Sequence, residues 1–227
     1  MEMEIVVPGT VPAMTLPDVA FFPQALLPLH IFEPRYRQML HEVLQHDRLF
    51  AVAGLDARRS EEPGLIEPPH RIATLGIVRA CQKQPDGTSN LLLQGLCRVE
   101  IIGIVSDEPY RQISIRALQS HVGEDPEANR KLRRELGRLL ALKRKFGATL
   151  PEELTDFLRT VEDPETFVDL AAFSLCDDAG LKQRLLETLD VRARLQLFNR
   201  RLRQEIHALR LRHTMQGPLS DDQISHN

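Results

Sequence analysis

The chain has 227 residues, of which 42% are hydrophobic and 27% are charged, and its formal net charge is −3. This near-neutral balance gives no general attraction to nucleic acid or to an anionic membrane. No apolar stretch approaches the roughly 20 residues that a membrane-spanning helix needs. Residues 1–4 (MEME) give the chain an acidic start, which does not resemble a secretory signal. We therefore expect a cytoplasmic protein without a membrane partner.

The first half of the chain has the pattern of a small β structure. Short runs rich in Ile, Val and Leu alternate with turn residues, which favours the strands of a barrel or sandwich. The predicted strands are residues 19–22, 25–30, 49–53, 72–80, 90–97, 99–105 and 111–118. Residues 84–88 (QPDGT) predict a hairpin, because proline fixes φ and glycine accepts a positive φ.

One helix is predicted among the strands. Pro34 suits a first helical position, since proline has no N–H to leave unbonded there. Beyond it the apolar residues recur every three or four positions and form one stripe. The residues of this stripe are Tyr36, Met39, Leu40, Val43 and Leu44.

Helices are predicted throughout the second half. One runs past Leu132 and Leu140 and ends before Gly147, and a second begins after Asp163, which has the character of an N-cap, and extends to residue 175. A third covers 181–189, and the longest follows Asp190 to about residue 213. The stripe of the longest helix has near-heptad spacing: Leu195, Phe198, Leu202, Ile206 and Leu209.

These patterns predict three parts. Residues 1–120 form the β part with one helix, residues 121–213 form the helical part, and residues 214–227 form a tail. The last dozen residues are polar and lack periodicity, so we predict that the tail is disordered.

Three stretches resemble one known family. Residues 27–39 read LPLHIFEPRYRQM, and the hairpin at 84–88 is followed by LLLQGLCRV, which contains a Gly-x-x-Arg motif (Gly95 to Arg98). Both resemble the N-terminal, substrate-recognition domain of ATP-dependent Lon proteases. The run KQRLLE at 182–187, followed by Arg194 and Leu195, is similar to the helical part of that domain. The resemblance covers roughly residues 10–212.

The resemblance implies an α+β fold: a PUA-like β-barrel with one helix, followed by a C-terminal helical bundle with a long terminal helix. Residues 28–37 look closer to free-standing Lon-domain proteins than to full proteases. A Lon ATPase needs a G-x-x-x-x-G-K-[ST] phosphate loop, which does not occur in these 227 residues, and its peptidase needs a serine activated by a lysine, in a segment after the recognition domain. We expect a non-enzymatic chain with no catalytic residues and no cofactor.

No metal site is expected. His41 and His46 are five positions apart, which places their side chains about 140° apart around a helix, unsuitable for sharing one metal ion. The three cysteines (Cys81, Cys97 and Cys176) lack zinc-site spacing and lie in apolar runs, so we expect them to be buried as small hydrophobic side chains.

The best candidate site follows the second predicted strand. A recognition groove combines apolar anchors with a few polar groups, and this segment supplies both. Phe32 and Tyr36 are the candidate anchors, and the polar candidates are His30, Glu33, Arg35 and Arg37. The alternative is structural: Phe32 and Tyr36 belong to the core, and an Arg–Glu pair ties the strand to the helix.

Two functional hypotheses follow. The first is an ATP-independent protein- or peptide-binding module for unfolded or exposed hydrophobic protein segments, which uses apolar contacts and sheet-edge hydrogen bonds and passes its client to a separate protease or other protein. The alternative is a structural or regulatory protein that self-associates through its long last helix.

The last helix contains seven arginines, which could bind an acidic protein surface or a nucleic acid. We favour the alternative that they form a solvated face opposite the apolar stripe. These residues are Arg192, Arg194, Arg200, Arg201, Arg203, Arg210 and Arg212. Nucleic acid is not an expected partner, because residues 1–120 carry 11 basic and 14 acidic side chains and the chain has only two tyrosines for stacking.

Overall fold

The computed structural model describes residues 6–61, 64, 66–146 and 151–216. Within them lie six strands and six α-helices, so the structure is of the α+β class. The strands are β1 (Thr10–Leu16), β2 (Leu26–Ile31), β3 (Leu49–Gly54), β4 (Ile72–Lys83), β5 (Ser89–Ser106) and β6 (Gln112–Leu118). The helices are α1 (Pro34–Gln45), α2 (Pro126–Lys145), α3 (Glu152–Thr160), α4 (Pro164–Leu175), α5 (Ala179–Glu187) and α6 (Val191–Gln216). In the described ranges, no helix is both long and apolar enough to cross a membrane.

Internal contacts divide the chain into two compact units. The first contains Met1–Ser120 together with Asp169–Leu189, and the second contains His121–Val168 together with Asp190–Asn227. By contacts, the end of α4 and all of α5 therefore group with the strands. The predicted domains at 1–120 and 121–213 stay a prediction. Of the predicted tail at 214–227, residues 217–227 lie outside the described residues, and residues 214–216 end α6.

The strand pairings of the first unit form a closed circuit. The order is β2-β5-β4-β3-β1-β6, and β5 also pairs with β6. Only β1 and β3 run parallel, and the other pairs are antiparallel. The 18-residue β5 pairs with β2 through residues 89–94 and with β6 through residues 98–106. The partner of β5 on this edge therefore changes from β2 to β6 at residues 95–97, within the Gly-x-x-Arg motif. The β4 strand is the other neighbour of β5.

The core of this unit is built from every second residue of five strands. Successive side chains of a strand point to opposite faces, so positions two apart share a face. The buried residues are Val11 and Ala13 of β1, Leu49, Ala51 and Ala53 of β3, Ala73 and Leu75 of β4, Val99 and Ile101 of β5, and Ile113 and Ile115 of β6. β2 contributes no residue to this cluster among those described.

At the start of the chain one strand prediction is wrong and one observed strand was not predicted. Residues 19–22 are irregular, although residues 20–22 are buried, and they lie between Asp18 and Gln24, whose φ angles are 54° and 64°. An apolar run indicates burial and does not by itself distinguish a strand from an irregular segment. β1 was not predicted, because Pro12 weakens a strand pattern. The runs 90–97 and 99–105 form one continuous strand.

The predicted hairpin is confirmed between β4 and β5. Gly87 has a φ of 83°, and Gln84 N–H donates to the Thr88 carbonyl at 2.8 Å. The Asp86 carboxylate accepts hydrogen bonds from the Thr88 amide and hydroxyl at 2.9 and 2.7 Å. Asp86 and Gly87 therefore have the roles that turn chemistry predicts for them.

Helix α1 is also confirmed. It begins at Pro34, and Tyr36, Met39, Leu40 and Val43 are buried. The i, i+3, i+4, i+7 spacing places these residues on one face, which packs toward the sheet, next to β1.

In the second unit, α2 packs along α6. The predicted caps are confirmed: Asp163 Oδ2 accepts from the Thr166 amide at 2.8 Å, and Asp190 Oδ1 accepts from the Ala193 amide at 2.6 Å. The third predicted helix, 181–189, is observed two residues earlier as α5. Helix α3 was not individually predicted.

The apolar stripe of α6 is covered within the chain. Leu195, Phe198, Leu202 and Ile206 are each at most 4% exposed. Self-association through this stripe would require α6 to leave its own core, so the structure does not favour the self-association hypothesis.

Several arginines of α6 also form ion pairs with carboxylates of the second unit. The ion pairs are Arg192–Asp125, Arg194–Glu165, Arg201–Glu205 and Arg203–Glu135. Arg194 is fully buried, so the expectation of a solvated face is wrong at that position.

Candidate functional site

The free edge of β2 is the first feature of the candidate site. β2 is the last strand in the sheet order, and among the described strands it pairs only with β5. Pro28 lies in the middle of β2, a position that proline tolerates only where no ladder hydrogen bond is lost. The edge of β2 away from β5 is unpaired among the described strands, so its main-chain groups are available for hydrogen bonding except at Pro28, which has no N–H to donate.

An exposed stripe runs along β2 and ends just after it. Leu26, Pro28 and His30 alternate with less exposed neighbours, and Phe32 continues the alternation. Leu26 is 50% exposed and Phe32 is 61% exposed. Phe32 is therefore not a core residue, contrary to the structural alternative.

His30 and Phe32 support one another. Their rings stack with centroids 6.0 Å apart and planes 22° apart, and the His30 Nδ1 lies 2.7 Å from the Asn90 Oδ1 of β5. Phe32 thus packs against His30, whose ring is positioned by its contact with Asn90 of β5.

Glu33, Arg35 and Tyr36 form a clamp at the turn from β2 to α1. Arg35 donates to Glu33 at 3.0 Å and to both carboxylate oxygens of Glu67 at 3.0 and 2.9 Å. The hydrogen bonds that Arg35 donates to Glu67 raise the pKa of the Arg35 guanidinium, and burial raises the pKa of the Tyr36 phenol. The Arg35 guanidinium lies 4.6 Å from the centre of the Tyr36 ring.

Tyr36 is 5% exposed and packs in the core, as the structural alternative has it. Beside this clamp lies a small cavity of about 180 Å³, whose lining includes Arg35, Tyr36 and Arg111. Arg111 is buried and donates to Thr15 Oγ1 at 2.8 Å and to the Glu67 carbonyl at 2.6 Å. These bonds hold the residue 67 segment in place against the clamp.

Arg37 lies on the exposed side of α1, where its guanidinium rests against Gly87 of the hairpin. A side chain at position 87 would overlap that guanidinium. The six predicted site residues therefore fall into three groups: the exposed pair His30 and Phe32, the clamp of Glu33, Arg35 and Tyr36, and Arg37 beside the hairpin.

Sequence reasoning missed three residues of this region: Leu26, Asn90 and Glu67. Leu26 has the alternation expected on a half-exposed edge strand, so a signal existed. Asn90 and Glu67 are distant in sequence from the residues that they contact, and no local pattern marks them.

Comparison with known proteins places the whole chain in context. A protein-family model described as the ATP-dependent protease La (LON) substrate-binding domain matches residues 10–204. The Lon protease of Desulfosudis oleivorans is 27% identical over 218 residues, which cover 95% of this chain and 26% of that protein. The Lon protease of Heliobacterium modesticaldum is 28% identical over 202 residues, which cover 88% of this chain and 24% of that protein. The chain thus spans about a quarter of the length of these relatives.

Two solved structures share the fold. The N-terminal domain of a Mycobacterium avium complex Lon protease superposes with a TM-score of 0.64 at 18% identity, covering 83% of this chain and 95% of that chain. A Lon N-terminal domain protein from Xanthomonas campestris gives a TM-score of 0.59 at 18% identity, covering 82% and 95%. Since the family model also matches most of the sequence, the chain belongs to the family of Lon substrate-binding domains.

Proposed function

We propose that this chain is an ATP-independent recognition module that binds exposed apolar segments of other proteins along the free edge of β2. The observation that carries the proposal is that β2, whose edge away from β5 is unpaired among the described strands, bears Leu26, 50% exposed, and is followed by Phe32, 61% exposed. Large exposed apolar side chains beside free main-chain groups are what a bound strand uses. Membership of a substrate-binding family supports the same function.

In this proposal an extended client segment pairs with β2. Main-chain hydrogen bonds supply affinity for any sequence, and the stripe of Leu26, His30 and Phe32 favours apolar client side chains. Arg37, which lies beside Gly87 of the β4–β5 hairpin, supplies a charged donor to a client carbonyl or carboxylate.

The clamp has a positioning role in the same proposal. Phe32 directly precedes Glu33, and Arg35 ties Glu33 to Glu67. Fixing this turn reduces the conformational freedom that Phe32 loses on binding, which increases affinity. Glu33, Arg35 and Tyr36 therefore act through the placement of Phe32.

The closed circuit of β1, β3, β4, β5 and β6 supports a PUA-like barrel, and the packing of α2 along α6 supports a helical bundle. We infer a non-catalytic role for these 227 residues, which contain no G-x-x-x-x-G-K-[ST] phosphate loop. A client would then pass to a separate protease or another protein.

The test is binding of a fluorescently labelled, reduced and carboxamidomethylated polypeptide that stays unfolded, measured by anisotropy without nucleotide across a salt series. Saturable micromolar binding that survives high salt is expected. Phe32→Ala should weaken binding about tenfold or more with an unchanged melting temperature, because burying a phenylalanine contributes roughly 1.5–3 kcal/mol. Leu26→Lys should weaken it as well, since a lysine discourages pairing at a strand edge.

The matched control is Ile102→Ala, which removes an exposed apolar side chain of β5 that is 57% exposed. Binding by this variant should equal that of the unaltered protein. Equal losses in Phe32→Ala and Ile102→Ala would mean general stickiness of the surface, and absence of binding by the unaltered protein would refute the proposal.

A further inference from the structure

A second concave surface lies entirely within the second unit, between α2 and α3. It is a groove of about 580 Å³, within the size range of ligand-binding clefts. Its floor is apolar, because Leu140, Leu158 and Phe167 line it and each is at most 4% exposed. None of the residues of the β2 edge lines this groove.

The rim of the groove is strongly basic. The cationic lining residues are Arg133, Arg134, Arg138, Arg144, Lys145 and Arg159, and no aspartate or glutamate is among the described lining residues. Nearby carboxylates pair with three of the six, at distances of 2.8 Å for Arg134–Glu127, 3.6 Å for Arg144–Glu152 and 2.7 Å for Arg159–Asp156. A positive charge therefore remains over an apolar floor.

Two of these cations have no described acidic partner. In the part of the chain that the structure describes, no carboxylate pairs with Arg138 or Lys145, and both are exposed. Arg133 is engaged in contacts within the protein: its guanidinium donates to the Val161 carbonyl at 3.1 Å and lies 4.5 Å from the centre of the Phe167 ring. Arg138 and Lys145 are thus the cations most available to a bound anion.

Gly137 keeps the middle of the groove open. It lies inside α2, where glycine weakens a helix relative to alanine. An added Cβ would meet only the Phe167 ring, at an ordinary contact distance of 3.8 Å. The described fold therefore has room for an alanine, and a glycine at this place gives a ligand closer access to the floor.

We propose that this groove binds a protein segment in which apolar side chains alternate with aspartate or glutamate. The apolar residues would pack against the exposed Ala141 and the aliphatic stems of the rim arginines, above the buried floor, and the carboxylates would pair with Arg138 and Lys145. Arginine suits this role, because its planar guanidinium binds carboxylates in a bidentate manner. This surface goes beyond the proposed β2 edge, since it selects clients by charge and does not depend on that edge.

The apolar floor favours a peptide over a nucleic acid. Single-stranded nucleic acid needs exposed rings on which bases stack, whereas the Phe167 ring is 2% exposed and already lies under Arg133. A labelled single-stranded RNA tests this choice, because the two occupants give different results.

The experiment measures anisotropy of three labelled peptides of equal length, and of a labelled single-stranded RNA, with the full chain. One alternates Leu or Phe with Asp or Glu, the second replaces the acids with Asn and Gln, and the third replaces them with Lys. The acidic peptide should bind at least tenfold more tightly than the amide peptide, and the lysine peptide more weakly still. The difference should shrink as salt rises, because exposed charges are screened.

Gly137→Leu should abolish the preference, because the added side chain occupies the centre of the groove. The matched control is Gly137→Ala, which should retain binding since its Cβ makes an ordinary contact. Charge reversal by Arg138→Glu with Lys145→Glu should weaken the acidic peptide at least tenfold. Its control, Arg200→Glu with Arg212→Glu on α6, makes the same change in net charge outside the groove.

Three results would overturn the proposal: equal affinity for the acidic and amide peptides, equal losses in both charge reversals, or RNA binding that is lost in Arg138→Glu with Lys145→Glu while no peptide binds. The neutral unfolded polypeptide separates the two sites. Groove variants should still bind it and Phe32→Ala should still bind the acidic peptide, so either site can fail alone.

Discussion

At position 95 of β5 the fold requires the absence of a side chain. A Cβ there would overlap the carbonyl oxygen of Phe22. The same residue accepts a hydrogen bond from the Gln24 amide and donates one to the Ala25 carbonyl, both at 2.9 Å. Gly95 thus joins the segment before β2 to β5, at the place where β5 changes its partner.

We expect Gly95→Ala to destabilise the protein by about 1–3 kcal/mol or more, because the backbone of Phe22 has to move. The control is Gly103→Ala on the same strand, where a Cβ would meet only Ser114 Oγ at 3.7 Å. That variant should be neutral or slightly stabilising. Chemical denaturation measures both, and equal stabilities of the two variants would contradict the steric argument.

Tyr110 gives a spectroscopic prediction. Burial, together with the hydrogen bond that its hydroxyl donates to the Glu42 carboxylate, raises the pKa of Tyr110 to about 12. A raised pKa contributes stability below the unfolded value near 10, and this contribution is lost as the pH rises from about 10 through 12. Tyr110→Phe should therefore lose stability less steeply over that interval.

Phenolate absorbance measures the ionisation directly, since the chain has two tyrosines and no tryptophan. In Tyr36→Phe the folded protein reports Tyr110 alone, and ionisation should occur well above pH 10. The same variant in guanidinium should titrate near 10. A folded-state titration near 10 would contradict both the burial of Tyr110 and its contact with Glu42.

At the scale of elements, an ion pair joins β5 to α4 inside the first unit. Arg98 binds both carboxylate oxygens of Asp169 at 2.8 Å and donates to the Leu186 carbonyl of α5 at 2.9 Å. Arg98 and Asp169 are 2% and 1% exposed. The arginine of the Gly-x-x-Arg motif is therefore a tie between strand and helices, a role that no local pattern reveals.

Removing one partner should be costly, because a buried charge without its counterion is unfavourable. Arg98→Met or Asp169→Leu should each lower the free energy of unfolding by about 3–5 kcal/mol. The double variant should lose less than the sum of the two, and chemical denaturation of all four proteins gives the coupling energy.

The exposed pair Arg159–Asp156 is the control for this cycle. Its coupling should be about 0–1 kcal/mol, since solvent screens it. A similar coupling for the two pairs would mean that burial does not strengthen the Arg98–Asp169 interaction.

The elements also differ in how well the sequence predicted them. α1, the caps of α4 and α6 and the QPDGT hairpin were predicted correctly, because helical periodicity, capping and turn residues act within a few positions. The strand prediction at residues 19–22 is wrong, since an apolar run indicates burial alone. The candidate site was separated by the structure into an exposed stripe and a buried clamp, a distinction that depends on contacts with Glu67 and Asn90.

At the scale of the whole molecule, acid should weaken the fold. The pKa values of six described carboxyl groups are lowered: Glu42, Asp56, Asp86, Glu100, Glu127 and Glu205. At Glu205 burial opposes the shift, but hydrogen bonds from Arg201 and Lys143 outweigh it. At Glu100 the hydrogen bond from Arg116 is the main cause.

A lowered native pKa contributes stability above the unfolded value, 4.5 for glutamate, and this contribution is lost as the pH falls through the native pKa. The free energy of unfolding should thus decline below about pH 4.5. Glu205→Gln should show a shallower decline, whereas Glu153→Gln, at an exposed position of α3, should match the unaltered protein. Denaturant titrations from pH 7 to 3 check this, and an unchanged free energy over that range would contradict it.

The sequence by itself determined the class of the fold, the positions of most helices, the hairpin and the family to which the chain belongs, since these depend on residue types at short spacing. Only the tertiary structure decided that β5 changes partner at Gly95, that residues 169–189 group with the strands, that Phe32 is exposed while Tyr36 is buried, and that a basic groove surrounds Gly137. The physical reason is that exposure and pairing depend on residues distant in the chain. Short-range patterns carry no information about which of those distant residues meet.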